Sequence, residues 1–501
     1  MDQLTEGIET PPERLKKRKQ TMKRKLGTFG IVLVLAGFLG TFCKPSEEKN
    51  DNNLLFAAAI AAGFSGVRTN GAVDLAVASK DNYDDNEFGL VTATTIKRWR
   101  TDWANQKPAS ITGNLIILQS SQGATVGQEF IKPTAGVYVY DWPNGGGTDI
   151  NFRQKRNNGL FENVQTGLPD GERTDRFLTL YGIDLSKDLV VFAAGKDTNA
   201  GTAASPKGST YQTSGRGLYW LRYWGAEANH VAVLDGPIDT QFSAAELTAV
   251  GTESTPPNNG TFSVKSFKNV DNSVLVQPVE NVIKIVRNPN AHGVTGLTSS
   301  VFISDARHNT TSTEREFVGT ADGTNAGEVE VGKKALTEGH LKGAFFAPWL
   351  QVVDQATGRF KSKAAIAALW NTPNGWGHAE NASASGYQEG QTFLHYCRTN
   401  ARSMVTGLST FVILGKPTVF YENSFIEWNG LSANHPDPAK RTLPADSPFA
   451  TDTADLTVST GGTGGGPTFN AANAANYKTV VNPNATTSRQ TLIDDWAYKN
   501  E

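Results

Sequence analysis

The chain has 501 residues with a formal net charge of −2, and 38% of its residues are hydrophobic against 19% charged. Such a length calls for more than one domain, and the near-neutral balance, with no basic surface in the folded part, speaks against a nucleic-acid partner. There are two cysteines, Cys43 and Cys397, too few for a disulfide framework.

In chain order, Lys16–Lys19 and Lys23–Lys25 are basic and precede an apolar run from Phe29 to Phe42. A membrane span needs about 20 apolar residues, so this shorter run reads as a secretory signal with a basic leading region. Met22 opens a signal of conventional length, which makes it the expected start. Cys43 then stands where a lipoprotein is cleaved and lipidated, and Lys44–Asn53 is a polar tether. Phe42 departs from the small residue of a lipoprotein box, and the alternative is an uncleaved signal anchor with an inert thiol. Either way the folded part is expected outside the cytoplasm, held at the membrane as a periplasmic or outer-membrane lipoprotein.

Residues 44–89 form a tether and extension, and a first α/β unit is expected over 90–238. Leu90–Trp99 reads as a capped helix, Asn114–Leu118 and Val137–Tyr140 as strands, and Asp188–Ala194 as a buried strand. Gly217–Trp224 is an apolar helix and His230–Gly236 a closing strand. Strands alternating with helices imply a mainly parallel sheet with helices on both faces. Residues 239–296 read as a linker holding a helix or a strand pair at Asp271–Arg287.

A second α/β unit is expected over 297–435. Val301–Arg307 is a strand ending in Asp-x-Arg, and Glu338–Ala344 is a Gly-His turn leading to Phe345–Trp349. In Gln391–Ser403 an apolar strand ends abruptly at Cys397, and a helix-compatible stretch runs from Met404 to Leu414. Backbone N–H groups that curl round a sulfur and run into a helix N-terminus favour a thiolate and bind anions. The plainer alternative is that Cys397 is a small core residue. Gly415–Trp428 adds a last strand and a Ser-x-x-Glu-Trp box. From residue 436 to 501 the Gly-rich Gly461–Pro467 and the Asn/Ala/Thr-rich stretch after it predict a flexible, low-complexity tail. Within that tail Leu492–Tyr498, with Trp496 and Tyr498, is the piece able to dock back on the body.

Taken together, the Asp-x-Arg strand, the Gly-His turn, the Cys397 loop and the Ser-x-x-Glu-Trp box resemble the rhodanese family in their order. The resemblance covers roughly Leu90–Asn429 and implies two rhodanese-like domains. The first is silent, since Gly195 follows its Ala-Ala pair where a cysteine would stand. It also implies a sulfurtransferase of the thiosulfate or 3-mercaptopyruvate kind, with Cys397 carrying a persulfide. Phosphatases place five residues between their cysteine and arginine, whereas four separate Cys397 from Arg402.

On this resemblance Arg398, Thr399, Asn400, Ala401 and Arg402 hold the persulfide with their amides, and Arg402 brings charge to the rim unless it pairs with a carboxylate. Ser403 is a helix cap or a loop hydrogen-bond donor. Arg398 directly after the cysteine tilts the donor towards thiosulfate. Arg315 takes the family's substrate-binding place, although its register is one residue early. His395 is either a proton donor or a buried, satisfied histidine. The seven histidines lack metal-ligand spacing and no nucleotide fingerprint accompanies the sheets, so neither metal nor cofactor is expected. Expected partners are a small anionic sulfur donor, a cyanide or thiol acceptor, and the membrane through a lipid. The insertions Asn144–Leu168, Lys196–Ser214 and Asn371–Gly390 favour a second possibility, a surface binding module that keeps the fold without its activity.

Overall fold

The computed structural model describes residues 66–121, 129–143, 153–202, 205–252, 262–307, 317–319, 336–459, 465–469 and 482–501. The signal segment with Cys43, and Arg315, lie outside them. In the first half, strands β1 (Gly89–Val91), β2 (Leu115–Ser121) and β3 (Val137–Pro143) are followed by a hairpin, β4 (Gln154–Arg156) and β5 (Val164–Gly167). Strands β6 (Leu189–Ala194) and β7 (Val231–Pro237) complete this half, and helices α1 (Ala93–Thr101), α2 (Gly171–Tyr181) and α3 (Tyr211–Trp224) lie between them. The sheet is five-stranded, in the order β1-β7-β6-β2-β3, and every pairing in it is parallel.

The second half has strands β8 (Val276–Gln277), β9 (Val301–Asp305), β10 (Phe345–Phe346), β11 (Thr392–Tyr396) and β12 (Thr418–Tyr421). Its helices are α4 (Val279–Arg287), α5 (Lys363–Asn371), α6 (Arg402–Leu408) and α7 (Ser424–Trp428), and α8 (Gln490–Asn500) lies near the C-terminus. These strands form a second five-stranded parallel sheet, β8-β12-β11-β9-β10. Ranked by position in the chain, both sheets read first-fifth-fourth-second-third. Parallel neighbours need crossovers, and here helices make many of them. The protein is thus a mixed α/β molecule of parallel sheets flanked by helices.

Side chains alternate across a strand, and that alternation sorts the apolar residues into three cores. Leu115 and Ile117 of β2 join Ile96 and Trp99 of α1 on the outer face of the first sheet. Ile303, Leu394 and Val419 pack with Val282 and Ile285 of α4 on the outer face of the second. The inner faces share one core, where Ile116, Phe192 and Val233 meet Phe302, Phe393 and Phe420 around α3 and α6. The two helices cross closely at Gly215, where a Cβ would stand 3.0 Å from both Met404 Cβ and Leu408 Cδ1.

Three expectations change. Leu90 and Val91 are strand residues paired with β7, and the helix starts only at Ala93, where Thr92 Oγ1 accepts from the Thr95 N–H at 3.3 Å. Sheet pairing outweighs local helix preference there. The end of the expected linker contributes to the second sheet, because Val276–Gln277 pairs with Phe420–Tyr421 and α4 buries Val279, Val282, Ile283 and Val286. The expected flexible tail is packed in its described residues. Leu443, Phe449 and Leu456 are buried in the outer core, Thr457–Val458 pairs antiparallel with His340–Leu341, and α8 docks with Asp495 and Lys499 buried. Much of the tail is held by polar contacts, such as Ser432 Oγ to Asp452 Oδ2 at 2.6 Å, which leave no apolar period to read.

Candidate active site

Cys397 directly follows β11, the fourth strand of its sheet in chain order, at the edge where open parallel sheets present their ligand-binding loops. Gly195 occupies the matching place after β6. Cys397 is 0% exposed and belongs to the core shared by the two sheets. Its N–H donates to Ser424 Oγ at 3.3 Å. The N–H groups of Phe425 and Ile426 in α7 donate to the carbonyls of Cys397 (3.0 Å) and Arg398 (2.9 Å). The loop's two leading carbonyls are therefore pinned by α7.

Among the described residues, two non-glycines take left-handed backbone, Asn400 at φ 57° and Ser424 at φ 54°. Both flank the cysteine in space. Asparagine and aspartate enter that region most readily, because their short side chains can bond locally. Asn400 Oδ1 accepts from Ser403 Oγ at 2.6 Å, and Asn400 Nδ2 donates to Glu422 Oε2 at 2.9 Å. Ser403 is accordingly a loop donor. The cap position of α6 is Ala401, which has no side-chain cap. Arg398, Thr399, Ala401 and Arg402 are half-buried along the crest of the loop, and Arg402 begins α6. The helix continues past Leu408 through a π-helical turn at Ser409–Ile413.

Three residues that sequence reasoning missed complete the surroundings. Glu422 follows β12, is 6% exposed, and also accepts from Tyr219 O–H at 2.9 Å. Arg216 of α3 is 2% exposed and reaches it from the first unit, with Nη1 donating to Oε2 at 3.0 Å and Nη2 to Oε1. Arg153 directly precedes β4 and lies within electrostatic range of both Arg216 and Cys397. Although its side chain is exposed, desolvation first and Arg216 second hold its guanidinium below the ordinary arginine range, while Cys397 pulls it upward. A signal for Arg216 was present, since an arginine on an otherwise apolar helix is rarely buried without a partner. Arg153 and Glu422 carried none.

Behind the loop, Asp305 and Arg307 at the end of β9 form an ion pair at 2.7 Å with both side chains 0% exposed. Arg307 also donates to the Gly339 carbonyl at 2.6 Å and lies 3.9 Å from the Phe425 ring centroid, so it braces α7. His395 shares a 2.8 Å hydrogen bond with Thr410 Oγ1 and stacks on Phe393. Burial pushes it down to about 3, so it is neutral near pH 7 and belongs to the core.

No protein-family model matches the sequence, and a search of curated proteins finds no match. Among solved structures, the fold is similar to that of the anaerobic ergothioneine biosynthesis enzyme from Chlorobium limicola, with 14% identity, 68% of each chain covered and a TM-score of 0.44. It is also similar to SseA from Escherichia coli, described as a 3-mercaptopyruvate sulfotransferase of rhodanese fold. There the identity is 15% over 67% of this chain and 98% of that one, with a TM-score of 0.39. At such identities the likeness concerns the fold alone.

Proposed function

We propose that the chain is a sulfurtransferase that moves a sulfane sulfur from a small anionic donor to a thiophilic acceptor through Cys397. The observation that carries this reading is the placement of Cys397 at the end of β11, in a loop whose leading carbonyls α7 holds and which Arg216 reaches through Glu422 and Asn400. Cations beside a cysteine favour its reactive thiolate and an anionic partner. Glu422 offsets Arg216, and Arg398 and Arg402 add positive charge along the loop.

In the first step the Cys397 thiolate attacks the outer sulfur of thiosulfate. The donor's S–S bond breaks, its electron pair leaves with sulfite, and a cysteine persulfide forms. In the second step cyanide or a thiolate attacks the outer persulfide sulfur, and the Cys397 thiolate leaves. Such two-step covalent transfer is ping-pong. Thiosulfate is the donor proposed first because Arg398 adds charge next to the cysteine, with 3-mercaptopyruvate second.

Cyanolysis tests this. The chain lacking residues before Lys44 should yield thiocyanate from thiosulfate and cyanide, and Cys397→Ala should yield none. If the folded, reduced protein gives no thiocyanate from either donor, the enzyme reading fails. The complete burial of Cys397 favours the other reading in that event, a binding module that retains the fold without sulfur chemistry. Lipidation of Cys43 and export remain part of the proposal, and fatty-acid labelling lost in Cys43→Ala would support them.

A further inference from the structure

Each sheet carries a buried acid near the C-terminal end of its fifth strand in chain order, Asp235 within β7 (0% exposed) and Glu422 directly after β12 (6% exposed). Both acids are gripped in the same way between the units. Asp235 accepts from Tyr211 O–H of α3 at 2.7 Å and from Arg359 Nε of the second unit at 2.9 Å. Glu422 accepts from Tyr219 O–H of α3 at 2.9 Å and from both Nη atoms of Arg216, an arginine of the first unit. The two acids differ in where their remaining capacity goes. Asp235 Oδ1 takes the Phe360 N–H at 2.9 Å, one more bond between the units, whereas Glu422 Oε2 takes Asn400 Nδ2 at 2.9 Å. The first acid thus ties unit to unit, and the second also reaches into the loop.

Of the two side-chain bonds of Asn400, the one with Ser403 stays within the loop. The one to Glu422 ties the left-handed turn to the body of the protein, beyond the bonds of α7 to the carbonyls of Cys397 and Arg398. Bonds to a carboxylate are stronger than those between neutral groups. This carboxylate is itself held from the first unit by Arg216 and Tyr219, both 2% exposed.

We infer that Glu422 is a positioning residue of the reactive loop: held by Arg216 and Tyr219 of the first unit, it holds Asn400 and with it the turn after Cys397, so that the docking of the two units sets the shape of the loop. Glu422 touches no donor. The kinetic consequence rests on the proposed sulfur transfer, and the mechanical link from α3 through Glu422 to Asn400 stands on the hydrogen bonds.

The chain from Lys44 keeps Cys397 as its only thiol, so alkylation by neutral iodoacetamide reads the loop without any turnover. Glu422→Gln keeps the shape of the side chain and removes its charge. Local opening of the released turn should expose the buried thiol. Alkylation should then speed up by about tenfold, the scale set by the loss of one bond to a charged group. Asp235→Asn weakens the matching contact between the units without touching the loop, so its alkylation rate should stay within about twofold of the native one. If the chain proves active, Glu422→Gln should lower kcat by about tenfold with KM for thiosulfate nearly unchanged, because misplacement acts on the reacting geometry. A purely structural loss would leave kcat per folded molecule at its native value.

An unchanged alkylation rate in Glu422→Gln, or an equal rise in Asp235→Asn, would overturn the inference. The expected rates in a protein that makes no thiocyanate would keep it and remove the enzyme reading alone. Should Glu422→Gln fail to fold, because it leaves Arg216 buried without a counter-charge, the double variant Arg216→Met/Glu422→Met strands no charge and takes its place with the same expected rates.

Discussion

Asn400 concentrates the chemistry of the loop in one residue. Its left-handed backbone bends the chain after Cys397, and its amide links Ser403 to Glu422. Replacing it with alanine removes both bonds and keeps a Cβ in a region that costs about 1–2 kcal/mol for such residues. Replacing it with glycine removes the bonds alone. Asn400→Ala should therefore lower the urea midpoint further than Asn400→Gly does, and equal losses would mean that the backbone angle carries no strain. His395 makes a second prediction at this scale. Its folded-state value is pushed down to about 3 by burial, against about 6.5 for an unfolded histidine. Between those values the unfolded chain binds a proton that the folded chain refuses, so stability rises with pH across the window. This contribution is fully present above about pH 6.5 and is lost as pH falls towards 3. His340, pushed down to about 4 by burial, acts in the same direction. A His395→Phe variant should flatten the fall in urea midpoint between pH 7 and pH 4, and an unchanged slope would assign the acid sensitivity elsewhere.

Among the elements, the crossing of α3 with α6 joins the two sheets, and Gly215 sets its closeness. A leucine there would force Met404 and Leu408 aside, an overpacking that costs about 1–3 kcal/mol. Gly215→Leu should lower the unfolding midpoint and should also disturb Arg216, the next residue, which reaches Glu422. A midpoint equal to the native one would show that the crossing has slack. The elements also show what the sequence could tell. The apolar runs of β2, β6, β7 and β11 and the helix after Cys397 were legible because buried parallel strands read as unbroken Val/Ile/Leu/Phe stretches. The two-residue strand β8 was not, since its identity comes wholly from its pairing with β12. The loop residues Cys397–Ser403 were legible as one contiguous motif. Arg153 and Glu422 were not, because the fold brings them close from 244 positions before and 25 positions after the cysteine (397 − 153 and 422 − 397). The docking of the C-terminal segment was legible at Leu492–Tyr498, but the polar part of its hold was not. Its hold is partly apolar, through Leu492 and Tyr498 against the shared core, and partly polar, through Asp495, Tyr223 and Lys499 Nζ on the Val270 carbonyl, and a polar anchor looks like solvated surface until its partners are known.

For the whole molecule, the repeated strand order first-fifth-fourth-second-third carries the consequence. Two copies of one plan would ordinarily be free to part company, each drifting or being shuffled into other genes as an independent module. Here the copies have divided their labour. One holds the thiol, and the other, with glycine at the matching edge, sends Arg216 of its helix to Glu422 beside the cysteine's loop. Under the proposed chemistry a substitution in the first half would register as a kinetic defect in the second. Neither half could then be inherited alone with the trait intact, and the pair would descend as a single unit of selection.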